Sequence, residues 1–227
     1  MIALHSPRRA ASALLVLTAI AAACGDDTAS PNDGEGSLQV INAATTAVDV
    51  RVDGAVKQSG IAVGALSSVL ALPSGSHVVQ LTPAGATSGS ASVTVTIASD
   101  VRRTVAATKA AVGVSAMALA DTGMLVGAGR SKLRVVHLAS NAPPLDIWRT
   151  QPDFQTPISI LFPYTYLSGA TVESAAGTWE VRVWPTGAGS WGAASSALTV
   201  PIGSGVLRTV VTLDVAGGGV KLQLLDP

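Results

Sequence analysis

Few side chains in this sequence could do chemistry, and they stand apart from one another. A hydrolytic triad needs a base beside a nucleophile. Beyond the first 23 residues only His77 and His137 could serve as imidazole bases, and Cys24 is the single cysteine of the 227-residue chain. His77 falls on the inward side of an alternating stretch, which predicts a packing role. The spacings His-x-x-x-His and Cys-x-x-Cys, which converge two metal ligands, do not occur. Gly127-Ala-Gly-Arg-Ser-Lys132 has the glycines of a phosphate loop without its Gly-Lys-Ser/Thr ending, and it reads as a linker. No catalytic residue, metal ligand or cofactor is therefore expected, and the chain reads as non-enzymatic.

Aromatic side chains supply the other candidate chemistry. All eight, from Trp148 to Trp191, lie in the C-terminal part of the chain. Trp148 and Trp184 sit at positions that alternate away from the expected core, and Trp191 lies in a Gly/Ser-rich loop. Exposed aromatics stack on sugar rings or anchor protein partners. Trp148, Trp184 and Trp191 are thus the candidate face for a glycan or an envelope protein. The competing roles are to cover an interface between domains or to fill a larger core.

The elements that must hold these residues are strands. Val48, Val50 and Val52 alternate with Asp49, Arg51 and Asp53, and the run ends in the turn pair Asp53-Gly54. His77, Val79 and Leu81 alternate with polar or smaller partners, as do Val93, Val95 and Ile97. No stretch beyond the leader reads as an amphipathic helix. The pattern then repeats. Gly75-Ser-His-Val-Val-Gln-Leu-Thr-Pro-Ala-Gly85 returns as Gly177-Thr-Trp-Glu-Val-Arg-Val-Trp-Pro-Thr-Gly187, displaced by 102 residues. Val93-Thr-Val-Thr-Ile97 returns as Leu198-Thr-Val-Pro-Ile202. Shared glycines and prolines at turns are stronger evidence of duplication than shared valines. Asp49 and Asp146 recur between copies, as do Arg103 and Arg208, which suggests an Asp–Arg pair fixing register in each unit. The alternative is solvated charges, worth at most about 1 kcal/mol if they meet.

The first 37 residues form an address and a tether. Arg8-Arg9 closes a positive segment, an apolar run from Ala10 to Ile20 follows, and Ala21-Ala-Ala-Cys24 ends it. This resembles the bacterial lipobox, which implies cleavage before Cys24 and lipid attachment to its thiol. Acyl chains would anchor the protein at about 0.8 kcal/mol per buried methylene. Gly25 follows the cysteine where an inner-membrane retention signal would place Asp, so the outer membrane is expected. Residues 24–37 are polar and Gly-rich and read as a flexible tether with a reach of roughly 20 Å. Once the leader's two arginines are set aside the remainder is slightly acidic, so nothing favours nucleic acid as a partner.

At Leu133-Arg-Val-Val-His-Leu-Ala-Ser-Asn-Ala-Pro-Pro-Leu-Asp-Ile-Trp148 and at the two Gly-to-Gly hairpins, the chain resembles a bacterial family known only as domain of unknown function 4397. The resemblance covers nearly all of residues 38–227. It implies an exported or cell-envelope protein and carries no established catalytic residues, so no site transfers. Copy one departs at Asn42, where copy two has His137.

The expected organisation is a lipoprotein signal peptide over 1–23, a tether over 24–37, a first β-sandwich over 38–122, a linker over 123–132 and a second β-sandwich over 133–227. Each unit offers about seven short strands, which favours tandem immunoglobulin-like sandwiches, with a transthyretin-like sandwich as the alternative. The expected function is a lipid-anchored binding or adhesion-like module of the envelope. A structural spacer and a periplasmic enzyme are the other readings.

Overall fold

The structure is a computed structural model that describes residues 34–119, 126–150, 158–188 and 195–225. Cys24, Trp191 and the leader lie outside the described residues. Within them the chain is all strand and turn. Eight strands make the first sandwich: β1 Glu35–Ala43, β2 Val48–Val52, β3 Ala55–Ile61, β4 Leu70–Pro73, β5 Gly75–Pro83, β6 Ala91–Ile97, β7 Arg102–Lys109 and β8 Val114–Leu119. The second repeats them as β9 Arg130–His137, β10 Leu145–Thr150, β11 Ile158–Tyr164, β12 Gly169–Ala175, β13 Gly177–Pro185, β14 Ser196–Ile202, β15 Leu207–Asp214 and β16 Val220–Leu225.

Each sandwich has an inner sheet, β4-β1-β7-β8 or β12-β9-β15-β16, and an outer sheet, β3-β2-β5-β6 or β11-β10-β13-β14. The first strand of each unit runs parallel to the seventh, and the other pairs are antiparallel. An immunoglobulin sandwich instead places its first, second, fifth and fourth strands in one sheet. Of the two expected topologies the strand order matches the transthyretin-like one. Register repeats as well. Arg51 on β2 faces Gln80 on β5, and Trp148 on β10 faces Arg182 on β13, so equivalent residues occupy equivalent places.

The strand count exceeds the expectation by one per unit. In the first sandwich the additional strand is β3, an edge strand whose Ala55, Val56, Lys57, Ser59 and Gly60 are all exposed. An edge strand with water on both sides has no reason to alternate. Two boundaries also move. β1 begins at Glu35, inside the segment read as tether, and β9 begins at Arg130, inside the segment read as linker. Gly36 is a packing glycine as well as a chain-flexing one: a Cβ there would collide with the Ala98 carbonyl oxygen. Ser74 also donates to the Gly34 carbonyl from both its backbone N–H (2.7 Å) and its hydroxyl (2.7 Å).

Each sandwich has its own core, with Val40, Val50 and Leu81 in the first and Val135, Ile147 and Val183 in the second. A third apolar cluster joins the two. Ile41, Ala106 and Leu119 from the first inner sheet pack with Val136, Leu138 and Leu213 from the second. The inner sheets therefore lie face to face, and residues 31–227 form one compact unit. The two sandwiches thus share a core beyond the two of their own. The cause is visible in the inner strands, where Val40 and Ile41 are both fully buried, as are Val210 and Val211. Strands covered on both faces carry continuous apolar runs.

Candidate functional site

The residues singled out by type fall into two groups. One group ties loops and turns to the sheets. Asp49 and Asp146 do this in the same way in both units. The Asp146 carboxylate accepts from the Thr186 hydroxyl (2.9 Å) and the Gly187 N–H (3.1 Å). The Asp49 carboxylate accepts from the Gly85 N–H (3.4 Å), in the equivalent turn, and from the Gly60 N–H (2.7 Å). The shared aspartate thus caps the turn after β5 or β13. Arg103 Nε donates to the Thr96 carbonyl (3.1 Å), so in the first unit Asp49 and Arg103 are both held by backbone groups where an Asp–Arg pair was expected.

The histidines are structural too. His77 places Nδ1 2.7 Å from the Asp53 carboxylate and Nε2 2.8 Å from the Pro73 carbonyl. Hydrogen bonding to Asp53 holds the imidazole above its ordinary range, and the same bond holds Asp53 below the usual carboxylate range. His137 is fully buried, with Nδ1 2.9 Å from the Thr212 hydroxyl and Nε2 3.4 Å from the Pro143 carbonyl. Burial lowers its affinity for a proton. Its counterpart Asn42 does the same work with amide chemistry, donating to the Thr46 (2.9 Å) and Ile61 (2.8 Å) carbonyls.

The second group lines the outer sheet of the second sandwich. On its solvent side Asp146 faces Trp184, Trp148 faces Arg182, and Thr150 faces Glu180 across the β10–β13 pair. Arg182 Nε donates to the Glu180 carboxylate. Trp148 is half-buried, whereas Trp184 is only 7% exposed. The expectation that both would be exposed holds in part for Trp148 and not for Trp184. Alternation decides which side of a sheet a side chain leaves from; a large indole can then lie flat against its neighbours and be covered. The matching face of the first sandwich presents Arg51, Gln80 and Val78, the last 47% exposed.

Two residues of the second sandwich, Tyr164 and Arg149, carry unusual chemistry that the sequence did not flag. Tyr164 is fully buried, its hydroxyl has no hydrogen-bond partner among the described residues, and burial pushes its pKa up to about 12. Arg149 is buried on β10 with its guanidinium 4.7 Å from the Trp179 ring centroid. An arginine at an inward position of an otherwise apolar strand was the available signal. Elsewhere, a cavity of about 530 Å³ opens between the inner sheets beside Arg102, Thr104, Arg134 and Thr209, and Arg134 Nε donates to the Thr209 hydroxyl (3.0 Å).

Fold and site define an all-β double sandwich whose described residues include no group of three or more His, Cys, Asp or Glu placed to hold a metal ion. Residues 36–148 match the family described as "Domain of unknown function (DUF4397)". The match spans the first sandwich and runs on to Trp148 in the second. No curated protein matches the sequence. Among solved structures the chain is similar to the Bacillus anthracis TIE protein, at 9% identity and a TM-score of 0.27, covering 83% of this chain and 34% of that one. It therefore spans about a third of that chain's length. It is also similar to CBMbc (family CBM26) from Eubacterium rectale Amy13K, solved with maltoheptaose, at 10% identity and a TM-score of 0.28, covering 85% of this chain and 97% of that one. A third is a Bacteroides ovatus protein described as a putative adhesin, at 11% identity and a TM-score of 0.24, covering 85% and 92%. No functional argument rests on likenesses this distant.

Proposed function

We propose that the protein is a non-enzymatic, lipid-anchored module of the outer membrane that binds a glycan or an envelope protein through the outer sheet of its second sandwich. The observation that carries this reading is the half-buried Trp148, set among Arg182, Glu180 and Asp146 where the first sandwich has Arg51, Gln80, Val78 and Asp49. An indole edged by both signs of charge offers a ring to stack on and donors and acceptors to orient what stacks. Trp184, buried on the same side of the sheet, faces Asp146 one step along β13. The first sandwich, a second copy of the same family unit, braces the second through the shared core. Cys24 carries the anchor, and the polar, Gly-rich sequence that follows it serves as the tether.

Fractionation of cells expressing wild type and Cys24→Ala tests the anchor: the variant should leave the membrane fraction, and its retention there would remove the lipoprotein assignment. The shared core also favours a second reading, a rigid structural spacer. Under that reading Trp148→Ala would alter stability and leave every binding measurement unchanged.

A further inference from the structure

One end of the second sandwich collects buried hydrogen-bond donors that meet no acceptor among the described residues. Arg149 is 7% exposed, and its Nε and Nη1 are buried with no hydrogen-bond partner among the described residues. The Trp179 ring lies 4.7 Å from the guanidinium carbon, and Trp179 Nε1 is likewise buried without a partner there. A buried cation is normally matched by a carboxylate or by acceptors on every N–H. Burial, and after it the charge of another cation, Arg130, disfavour the proton on Arg149. Two carboxylates of this unit are already engaged, Glu173 by Arg130 at 3.0 Å and by Lys132 at 3.7 Å, and Glu180 by Arg182. A ring face offsets part of a guanidinium's lost hydration, but it accepts no N–H in the plane of the fork.

The first sandwich shows what is missing. Its residue equivalent to Trp179 is His77, and the pair equivalent to Arg149-Thr150 is Val52-Asp53. There the His77 donor meets its own carboxylate, Asp53, at 2.7 Å. In the second sandwich the carboxylate has become Thr150 and a cation has been added beside it. One unit thus carries a donor matched by Asp53; the other carries an enlarged set of donors and Thr150 where that carboxylate stood.

We propose that this end of the second sandwich binds the carboxylate of a small organic acid or sugar acid, which Arg149 and Trp179 hold in the place that Asp53 holds in the first sandwich. A guanidinium presents two parallel N–H groups at the spacing of two carboxylate oxygens, and the indole N–H adds a third donor. Arg149 leaves β10 on the side opposite Trp148, so this site is separate from the outer face and does not depend on the reading given to it.

The test uses the full chain purified in mild detergent, titrated calorimetrically and by tryptophan emission with galacturonic acid oligomers, neutral galactose oligomers and succinate. Galacturonate oligomers or succinate should saturate the protein while the neutral oligomers do not. Saturation by galacturonate alone assigns a sugar acid, and saturation by both assigns any small carboxylate. Arg149→Met should weaken binding by at least about tenfold, the scale of a lost charge-assisted pair, while melting no lower than wild type because it buries no cation. Trp179→Phe keeps a ring under the guanidinium and removes only the N–H, and should weaken binding by about tenfold. Trp148→Ala should bind carboxylate as wild type does. Absence of saturation by either acid, or undiminished binding by a folded Arg149→Met protein, overturns the proposal.

Discussion

Ile41→Ala is the substitution that most sharply probes how the two sandwiches depend on each other. Ile41 belongs to the first sandwich, is fully buried, and sits in the apolar cluster shared with Val136, Leu138 and Leu213 of the second. Truncating a buried Ile or Leu to Ala costs about 2–5 kcal/mol, through lost transfer energy and the cavity left behind. With a urea dependence near 2 kcal/mol per molar, a 3 kcal/mol loss lowers the unfolding midpoint by about 1.5 M. The reporters are conveniently placed: Trp148, Trp179, Trp184 and Trp191 all belong to the second sandwich and none to the first. Tryptophan emission therefore reads only the unit that was not mutated. If the shared cluster couples the sandwiches, the emission midpoint of Ile41→Ala falls by about 1–2 M and coincides with the far-ultraviolet dichroism transition. An emission midpoint equal to wild type, with a separate earlier step in dichroism, would show two independent domains and refute the reasoning.

Three further outcomes follow from the contacts above. Asp146→Ala should lower unfolding stability by about 1–2 kcal/mol in urea titration, because the N–H of Gly187 and the hydroxyl of Thr186 lose a charged acceptor. Tyr164→Phe should be neutral or stabilising by up to about 1 kcal/mol in the same titration, since it deletes a buried hydroxyl that has no hydrogen-bond partner among the described residues. His137 is disfavoured as a cation by burial, so its contribution to stability is present above its unfolded pKa of about 6.5 and is lost as pH falls. Melting curves of wild type and His137→Asn should accordingly converge or cross as pH drops from 7 to 5, with the variant the less acid-sensitive of the two.

Much of this fold is legible from alternation. The inward positions of β2, β5 and β6 (Val48, Val50, Val79, Leu81, Val95 and Ile97) are buried as their spacing predicts. The repeat foretold that the second unit would copy the first. What escapes sequence reading escapes for physical reasons. β3 alternates weakly because as an edge strand it needs no buried face. Strand order depends on which long-range pairs form, and no local pattern encodes that. The shared core was present as the apolar runs opening at Leu38 and Leu133, yet such a run is equally the start of an ordinary strand. Asp49 and Asp146 were recognisable as equivalent, while their partners are backbone groups of a turn and carry no residue signature. Arg149 illustrates the converse. Its exception to the apolar inward pattern was visible, but only the packed structure reveals that its Nε and Nη1 meet no acceptor among the described residues.

The central claim is that the second sandwich, and in particular its outer sheet, carries the binding function. Its most direct test measures retention of the full chain, in detergent, on isolated envelope polysaccharide and on envelope membranes. Trp148→Ala is compared with Arg51→Ala, the equivalent substitution on the first sandwich. The account predicts that Trp148→Ala weakens retention by about tenfold or more, as loss of an aromatic anchor does, and that Arg51→Ala leaves it unchanged. Equal retention of the two variants would contradict it.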